Sequence, residues 1–446
     1  MGSCVSTLSD DVYHISHNRY IACLQSILPP MFRSLIIEIE KDIGNDIEAL
    51  YKRLLSGNTR ITKTNSTIVQ TEIYMYAGVI GLYYGVTSNE YKTITTNLLQ
   101  YSNVDIEWLT VALEGLYTEL TTPVSYQTTF NDNDCTTIPE ECSILLLADF
   151  ATGLERSNVV LREAKRIQPY IHVVIHGGDT YYSGTKTEQE NNLVKPMQSI
   201  FPYAVIRCLR GNHDMYSGPD GFRYVQETIG QQATYFSITN SSLMIQGMDT
   251  SIYDVNPLLE GKTMVSLHAD EVQWHIKKVE EARQKGKKII LFSHHEPITY
   301  NDSVGTLHDK NPPVNVSLCN QLQPIIPYID AYFFGHQHNF MLYKDYTYKN
   351  NMTLRKPRLI GHGGCPVMSQ TLETMYTKKT YDTESNDVPE LLYGNDWKLG
   401  NNGSVIDTGF VILTCSKGIV RADYYNIHST SLGVFEKAKC VHSEIL

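Results

Sequence analysis

The 446-residue sequence lacks an apolar run long enough to cross a lipid bilayer. A spanning helix needs about 20 mainly apolar residues. The longest candidate, IYMYAGVIGLYYGV at 73–86, is shorter and is interrupted by glycine. A membrane-spanning segment is therefore not expected, and residues 73–86 are predicted to form a buried helix.

Paired-cysteine motifs are also missing. The chain has nine cysteines, but it has no CxxC pair and no regular spacing between them. This pattern does not indicate a disulfide framework. We therefore expect a mostly reduced, intracellular protein.

Positive charge is scarce relative to negative charge. The 37 Lys and Arg residues are outnumbered by 48 Asp and Glu residues, which gives a net charge of −11. Binding to the phosphate backbone of nucleic acids depends on clustered cationic side chains. No nucleic-acid binding is therefore expected, and no general attraction to an acidic membrane surface is expected either.

The first residues, MGSCVS, carry a lipidation pattern. Gly2 follows the initiator Met, Ser6 holds the favoured position of an N-myristoylation signal, and Cys4 is available for palmitoylation. One acyl chain gives weak, reversible membrane binding, and two give a stable anchor. Residues 1–15 are therefore predicted to be an acylated anchor on the cytoplasmic face of a membrane. The alternative is an unmodified, unstructured N-terminus.

Two regions of different character follow the predicted anchor. Residues 16–130 place apolar residues at helical spacings, as in PMFRSLIIEIEKDIGNDIEALYKRLLSG, and carry no chemical motif. From residue 142, β-branched runs such as YIHVVI alternate with amphipathic stretches such as HADEVQWHIKKVEEARQKG. This alternation predicts an α/β domain over residues 142–425. Residues 426–446 are predicted to be a C-terminal tail.

Metal-ligand side chains follow five predicted strands of the α/β region. They are Asp149 in ADF, Asp179 in GGDTYY, Asn212 and His213 in GNHD, His295 in HHEP, and His336 and His338 in GHQH. In α/β sheets, ligands bind outside the carboxyl ends of the strands. A single Asp or His there is more often a turn or core residue. Five such ends with carboxylate, amide and imidazole groups favour a site for Fe, Mn or Zn.

The motifs resemble those of the calcineurin-like metallophosphoesterase superfamily, and in detail those of its purple acid phosphatase branch. GDTYY is similar to GDxxY, GNHD to GNH[DE], HEP to HxP, and GHQH to GHxH, all in the family's order. The resemblance implies a four-layer αββα sandwich, here preceded by the helical N-terminal segment. One motif departs from the branch, because Phe150 and Ala151 follow Asp149 where Trp and Gly are usual.

The resemblance also implies two metal ions and their ligands. The first ion would be bound by Asp149, Asp179, Tyr182 and His338, and the second by Asp179, Asn212, His295 and His336, with Asp179 bridging. Tyr182 stands three residues after Asp179, where the branch has a tyrosine ligand. A phenolate favours Fe(III) at the first site, with Fe, Mn or Zn at the second. Tyr181 is given a packing role, and His294 is given either a packing role or a role in supporting a ligand residue.

By the same resemblance, the protein would hydrolyse phosphate esters through attack by a metal-bound hydroxide. His213 would contact the phosphoryl oxygens or protonate the leaving group, and Asp214 would orient His213. The alternative is a membrane-tethered scaffold that binds metal without catalysis. The substrate stays open among phosphomonoesters, phosphodiesters, nucleotides, phosphoproteins and lipid head groups.

Overall fold

The computed structural model describes residues 135–254, 265–300, 313–348, 352–367, 389–394, 405–429 and 434–446. The predicted anchor over 1–15 and the predicted helical segment over 16–130 lie outside the described residues. The chain divides into two compact units, Met1–Tyr117 and Thr118–Leu446. All described residues therefore belong to the second unit.

Two large β-sheets, with strands numbered along the chain, form the centre of this unit. The first sheet contains, in spatial order, β1 (Cys135–Thr137), β5 (Phe236–Thr239), β6 (Leu243–Met248), β7 (Lys288–Ser293), β8 (Ala331–Phe334), β12 (Pro357–Ile360), β9 (Phe340–Tyr343) and β13 (Leu391–Tyr393). The second contains β16 (Lys439–Ile445), β15 (Ile419–Ile427), β14 (Thr408–Ser416), β2 (Cys142–Leu147), β3 (Val173–His176) and β4 (Val205–Cys208). A separate hairpin pairs β10 (Tyr346–Tyr348) with β11 (Met352–Leu354).

Helices connect the parallel strands of both sheets. They are α1 (Glu155–Ile167), α2 (Lys186–Glu188), a π-helical turn (Gln189–Val194), α3 (Lys195–Ile200), α4 (Asp220–Ile229), α5 (Ala269–Gln284) and α6 (Val316–Leu322), with 3₁₀ turns at His213–Met215 and Ile326–Tyr328. Helix α4 stops at Gly230, whose φ of 67° is the left-handed conformation that commonly ends helices. Within the described ranges, no helix combines the length and apolarity that crossing a bilayer requires.

Three large hydrophobic clusters hold the helices and sheets together. One core lies between the sheets and joins side chains such as Ile144 and Ile175 to Ile245 and Phe333. The outer face of the second sheet packs against α1, α3 and α4, and the outer face of the first sheet packs against α5 and α6. The order is therefore helix, sheet, sheet, helix, which confirms the predicted αββα sandwich.

Parallel strands bring their carboxyl ends to the same edge of each sheet. Strands β2, β3 and β4 are parallel neighbours in the second sheet, and β6, β7 and β8 are parallel neighbours in the first. Most of these strands are buried along their whole length, as is usual when both faces of a parallel sheet are covered. The segments that follow them carry the candidate site.

The C-terminal residues belong to the sandwich. Strand β16 pairs antiparallel with β15, with Glu444 opposite Ala422 and Ser443 opposite Asp423. The Arg358 guanidinium on β12 donates to both carboxylate oxygens of Glu444, at 2.7 and 2.8 Å. The domain boundary predicted at residue 425 is therefore too early, because the predicted tail adds a strand and links the two sheets.

Candidate metal centre

Two buried carboxylates form the middle of the candidate site. Asp149 follows β2 and Asp179 follows β3, and their exposed fractions are 0% and 1%. Asp149 Oδ2 accepts a hydrogen bond from the backbone N–H of His336 at 2.9 Å, and Asp179 Oδ1 accepts one from the backbone N–H of His213 at 3.0 Å. Burial raises the pKa of both carboxyl groups well above the usual range, because it disfavours their charged forms.

Three residues of the site have a left-handed backbone. The φ angles of Asp149, Asp179 and His336 are 54°, 71° and 71°. Side chains other than glycine rarely adopt this region, and each instance costs about 1–3 kcal/mol. Such strain persists where surrounding contacts fix it, and it concentrates at functional sites. The sharp turn at each strand end directs the side chain into the site.

A first group of donor atoms surrounds the two carboxylates. Single ligand atoms of Asp149, Asp179 and His338 all lie within 4.8 Å of one another. The Tyr181 hydroxyl lies 2.7 Å from His338 Nε2 and 3.2 Å from one oxygen of each carboxylate. Two carboxylates, an imidazole and a phenol therefore converge on one point.

The tyrosine whose hydroxyl contacts the carboxylates and His338 is Tyr181, whereas the motif spacing predicts Tyr182 there. The described hydrogen bonds of Tyr182 involve its backbone. Its N–H donates to Glu188 Oε1 at 2.5 Å, and its carbonyl accepts from His213 Nδ1 at 2.6 Å. The structure thus brings the Tyr181 phenol to the two carboxylates, where the sequence predicts a packing role for Tyr181 and the ligand role for Tyr182.

A second group of donor atoms lies on the other side of Asp179. It contains the imidazoles of His294, His295 and His336, with one ligand atom from each within 4.8 Å of the others. Asn212 Oδ1 lies 3.0 Å from His294 Nε2 and 3.1 Å from His336 Nδ1. His294 Nε2 is also 3.5 Å from Asp179 Oδ1.

His294, for which a packing or ligand-supporting role is predicted, lies inside this second group. That prediction assumes that side chains alternate between the faces of a strand up to His294. Strand β7 ends at Ser293, so His294 lies beyond the strand and the alternation does not apply to it. The His294 ring contacts the Gly177 carbonyl through Nδ1 at 3.0 Å, which leaves Nε2 directed at Asn212. Metal-binding histidines are commonly oriented by such a second bond.

His295, the predicted ligand, has polar partners on both ring nitrogens. Nδ1 lies 3.0 Å from Thr250 Oγ1, and Nε2 lies 3.1 Å from Asp254 Oδ2. The residue is buried and belongs to the second donor group. Both neighbouring histidines therefore belong to the second donor group, and His294 is the one of the two that contacts Asn212.

His213 lies between two tyrosine rings at the edge of the centre. Its ring centroid is 4.8 Å from that of Tyr181 and 4.8 Å from that of Tyr216. Its Nδ1 contacts the Tyr182 carbonyl at 2.6 Å. Burial lowers the pKa of His213 to about 4, so the ring is neutral at neutral pH.

Asp214 does not orient His213 as predicted. Its carboxylate accepts hydrogen bonds from the backbone N–H groups of Asp179, Thr180 and Gly211, at 2.8, 3.1 and 2.6 Å. The Gln189 side chain donates a fourth, at 2.6 Å, and accepts one from the Thr180 hydroxyl at 3.0 Å. Asp214 therefore ties the loop after β3 to the loop after β4, and the Tyr182 carbonyl orients His213.

Two glycines keep the centre open. A Cβ atom on Gly211 would overlap the Asp179 carboxylate, and one on Gly335 would lie 2.5 Å from Asp149 Oδ2. Both are closer than real Cβ contacts allow. The glycines of GNHD and GHQH are therefore required by the close approach of backbone to carboxylate.

The donor set fits metal cations. No Lys or Arg side chain within the described ranges forms an ion pair with Asp149 or Asp179, so two buried carboxylates lie together without a protein cation. Burial lowers the pKa of His294, His336 and His338, which keeps these imidazoles unprotonated and able to donate a lone pair. Carboxylate, amide oxygen, phenol and neutral imidazole are the groups that Fe, Mn and Zn accept.

Comparison with known proteins agrees with this reading of the centre. The family model of the calcineurin-like phosphoesterases matches residues 142–340, a range that contains every donor residue described above. No curated protein sequence gives a significant match.

Several solved structures are similar to the chain at low sequence identity. A purple acid phosphatase from yellow lupin (Lupinus luteus) seeds is 14% identical, with a TM-score of 0.45, over 68% of this chain and 54% of the lupin chain. A dimetal phosphatase from Danio rerio is 11% identical, with a TM-score of 0.40, over 68% of this chain and 98% of the other. The chain thus spans about half the length of the lupin enzyme. Residues 142–340 are therefore similar to the calcineurin-like phosphoesterases, in the part of the chain that contains the candidate metal centre.

Proposed function

We propose that the domain hydrolyses phosphate esters with two metal ions held side by side. The observation that supports this is the position of Asp179 between the two donor groups. Its Oδ2 lies 3.2 Å from the Tyr181 hydroxyl, and its Oδ1 lies 3.5 Å from His294 Nε2. One carboxylate thus offers an oxygen to each group, so Asp179 would serve both ions.

The residues divide between two ions as follows. Asp149, Asp179, Tyr181 and His338 would hold the first ion, and Asp179, Asn212, His294 and His336 would hold the second, with His295 beside it. When bound, paired cations supply Lewis-acid stabilisation of the attacking and leaving oxygens at phosphorus.

His213 is the polar side chain placed to act beside the ions. The Tyr182 carbonyl favours the tautomer with its proton on Nδ1, so the neutral ring presents Nε2 as an acceptor. The rings of Tyr181 and Tyr216 limit its rotation. We therefore assign His213 to accepting a proton at Nε2 and, once protonated there, to donating to a phosphoryl or leaving-group oxygen.

The proposal is tested by metal analysis together with hydrolysis of an aryl phosphate. Asp179→Asn removes the bridging charge, so we expect loss of bound metal and a fall in turnover of more than about 100-fold. Asp423→Asn, a matched change on the distant strand β15, should leave both unchanged. Metal-loaded wild type without hydrolysis would instead support the alternative of a metal-binding scaffold.

The same donor set supports a proposal for the identity of the metals. A phenol in the first group favours Fe(III) there, with Fe, Mn or Zn in the second site. Purified protein with this content should show a visible charge-transfer band. We expect Tyr181→Phe to abolish the band and Tyr182→Phe to retain it. The opposite result would return the ligand role to Tyr182.

We also propose that Gly2 is myristoylated and Cys4 palmitoylated, which would place the enzyme on the cytoplasmic face of a membrane. Both residues lie outside the described residues, so the support is the MGSCVS pattern alone. Labelling with a myristate analogue should mark the wild type and leave Gly2→Ala unmarked. Equal labelling of the two would remove this part of the proposal.

A further inference from the structure

Tyr216 is a buried tyrosine that contacts two residues of the centre at once. It directly follows the 3₁₀ turn His213–Met215 and stands four residues after Asn212. Its exposed fraction is 4%. The turn folds the chain back, so the Tyr216 hydroxyl reaches Asn212 while its ring lies against His213.

The hydroxyl contact bears on how Asn212 can bind a metal. Asn212 Nδ2 donates to the Tyr216 hydroxyl at 2.5 Å, and this leaves Oδ1 facing His294 and His336 at 3.0 and 3.1 Å. Only the amide oxygen can ligate a cation, because the amide nitrogen has no free lone pair. With the oxygen on the metal side, the buried NH₂ group needs an acceptor, and leaving it without one costs free energy.

The ring contact bears on His213. The Tyr216 and His213 centroids are 4.8 Å apart at an interplanar angle of 59°, and Tyr181 packs against the same imidazole at 4.8 Å and 51°. The two tyrosine rings restrict the imidazole, and the hydrogen bond to the Tyr182 carbonyl sets its rotation. The hydroxyl and the ring of Tyr216 therefore support different residues.

We propose that Tyr216 is a positioning residue with two separable parts. The hydroxyl holds the Asn212 amide with its oxygen toward the second metal ion, and the ring holds His213 in place. This inference rests on the proposed function, because it needs a cation at the second donor group.

The test separates the two parts with two substitutions. Tyr216→Phe keeps the ring and removes the hydroxyl. Titration calorimetry of the metal-free protein with Mn²⁺ should show one of two sites weakened by about 10- to 100-fold, the usual effect of losing a residue that orients a ligand. The Mn²⁺ concentration for half-maximal hydrolysis of an aryl phosphate should rise by the same factor, and kcat at saturating Mn²⁺ should return to within about threefold of wild type.

Tyr216→Leu also removes the ring, so kcat should stay low at saturating Mn²⁺. Tyr424→Phe is the matched control, because the Tyr424 hydroxyl donates to Glu444 at 2.7 Å in a strand away from the centre. It should leave both Mn²⁺ affinities unchanged. Unaltered Mn²⁺ binding in Tyr216→Phe, beside a two-site wild type, would overturn this inference alone. A wild type that binds no Mn²⁺ would overturn the proposed function and this inference together.

Discussion

At the scale of single residues, the centre concentrates features that oppose folding. Asp149 and Asp179 are buried carboxylates without a cationic side chain in contact among the described residues, and both have a left-handed backbone. Burying such charges is unfavourable unless a cation compensates. The strain and the charge are both accounted for if the residues are arranged to receive metal ions.

The neighbouring histidines 294 and 295 give the sharpest test at this scale. We expect His294→Ala to lower the number of bound metal ions from two toward one and to reduce aryl phosphate turnover by more than about 100-fold, because His294 contacts Asn212 directly. His295→Ala should retain two ions, since its ring nitrogens contact Thr250 and Asp254. Elemental analysis of the metal content per chain compares the two variants, and His428→Ala, a change at an exposed histidine, is the control.

A reversed outcome, with one ion lost only in His295→Ala, would restore the ligand predicted from the HxP motif. The sequence could supply the motif but could not choose between adjacent histidines. That choice depends on the backbone path beyond the end of β7, where side chains no longer alternate. The same reason explains why spacing indicated Tyr182 while the structure brings Tyr181 to the carboxylates.

His176 should make the stability of the protein depend on pH. It is fully buried, and neither ring nitrogen has a hydrogen-bond partner among the described residues. Burial lowers the pKa of His176 to about 3, from an ordinary value of 6.5. The unfolded chain therefore binds a proton that the folded chain does not, and stability is lost as the pH falls from about 6.5 toward 3.

Between pH 7 and pH 5 this residue should cost about 2 kcal/mol of unfolding free energy. His176→Leu removes the titrating group and fills the space with a side chain that needs no partner. Urea denaturation of the two proteins at both pH values should show that the substituted protein loses about 2 kcal/mol less. Parallel losses would mean that the His176 ring is not held neutral by the fold.

At the scale of structural elements, the short helical segment after β3 acts as a support for the centre. It comprises α2 and the π-helical turn that begins at Gln189. Glu188 accepts from the N–H groups of Tyr182, Ser183 and Thr185. Gln189 connects Thr180 to Asp214. Irregular π-helical turns often mark functional sites. Here Glu188 at the end of α2 and Gln189 at the start of the turn both contact the loop that follows β3.

Gln189→Leu is predicted to weaken this support. The substitution leaves Asp214 without one donor and the buried Thr180 hydroxyl without its acceptor, which should lower the free energy of unfolding by about 1–3 kcal/mol. Gln226→Leu, on the partly exposed face of α4, should lower the free energy of unfolding less than Gln189→Leu does, since the Gln226 side chain donates to the Gln232 carbonyl near solvent. Urea unfolding of the metal-free proteins measures both. Equal stabilities would show that Asp214 holds the loops without Gln189.

The arrangement of elements was largely predictable, and the support was not. Buried β-branched runs and amphipathic stretches predicted the alternating strands and helices, and the polar residues at strand ends predicted where the site lies. Gln189 gave no signal, because its role depends on a π-helical turn that has no sequence motif in this chain. The GNHD motif indicates that Asp214 has a role, but only the fold shows that its hydrogen-bond partners include backbone N–H groups.

At the scale of the whole molecule, the C-terminal strand links the two sheets. Arg358 lies on β12 of the first sheet, and Glu444 lies on β16 of the second. The guanidinium is buried, and the Tyr424 hydroxyl also donates to Glu444 at 2.7 Å. This contact was missed in the sequence because residues 426–446 carry no motif and follow the last predicted strands.

Glu444→Ala should therefore be costly for the whole domain. It leaves a buried guanidinium without its carboxylate, which typically costs about 3–5 kcal/mol. Glu436→Ala removes one partner of an exposed pair with Lys439 and should change stability little, because solvent screens such pairs. Thermal unfolding of both variants gives the comparison. Similar midpoints would indicate that the two sheets stay together without this contact.

The left-handed backbone of Asp149 and Asp179 has a consequence for engineering this protein. In the absence of metal, replacing either one with an uncharged or more flexible residue would relieve both electrostatic and conformational stress. A laboratory screen that selects for heat tolerance alone, in metal-depleted medium, would therefore enrich variants that are more stable because they have lost these aspartates. Such variants would no longer bind the metal ions. Improved variants would have to be sought with the cations supplied throughout and with turnover scored in every round.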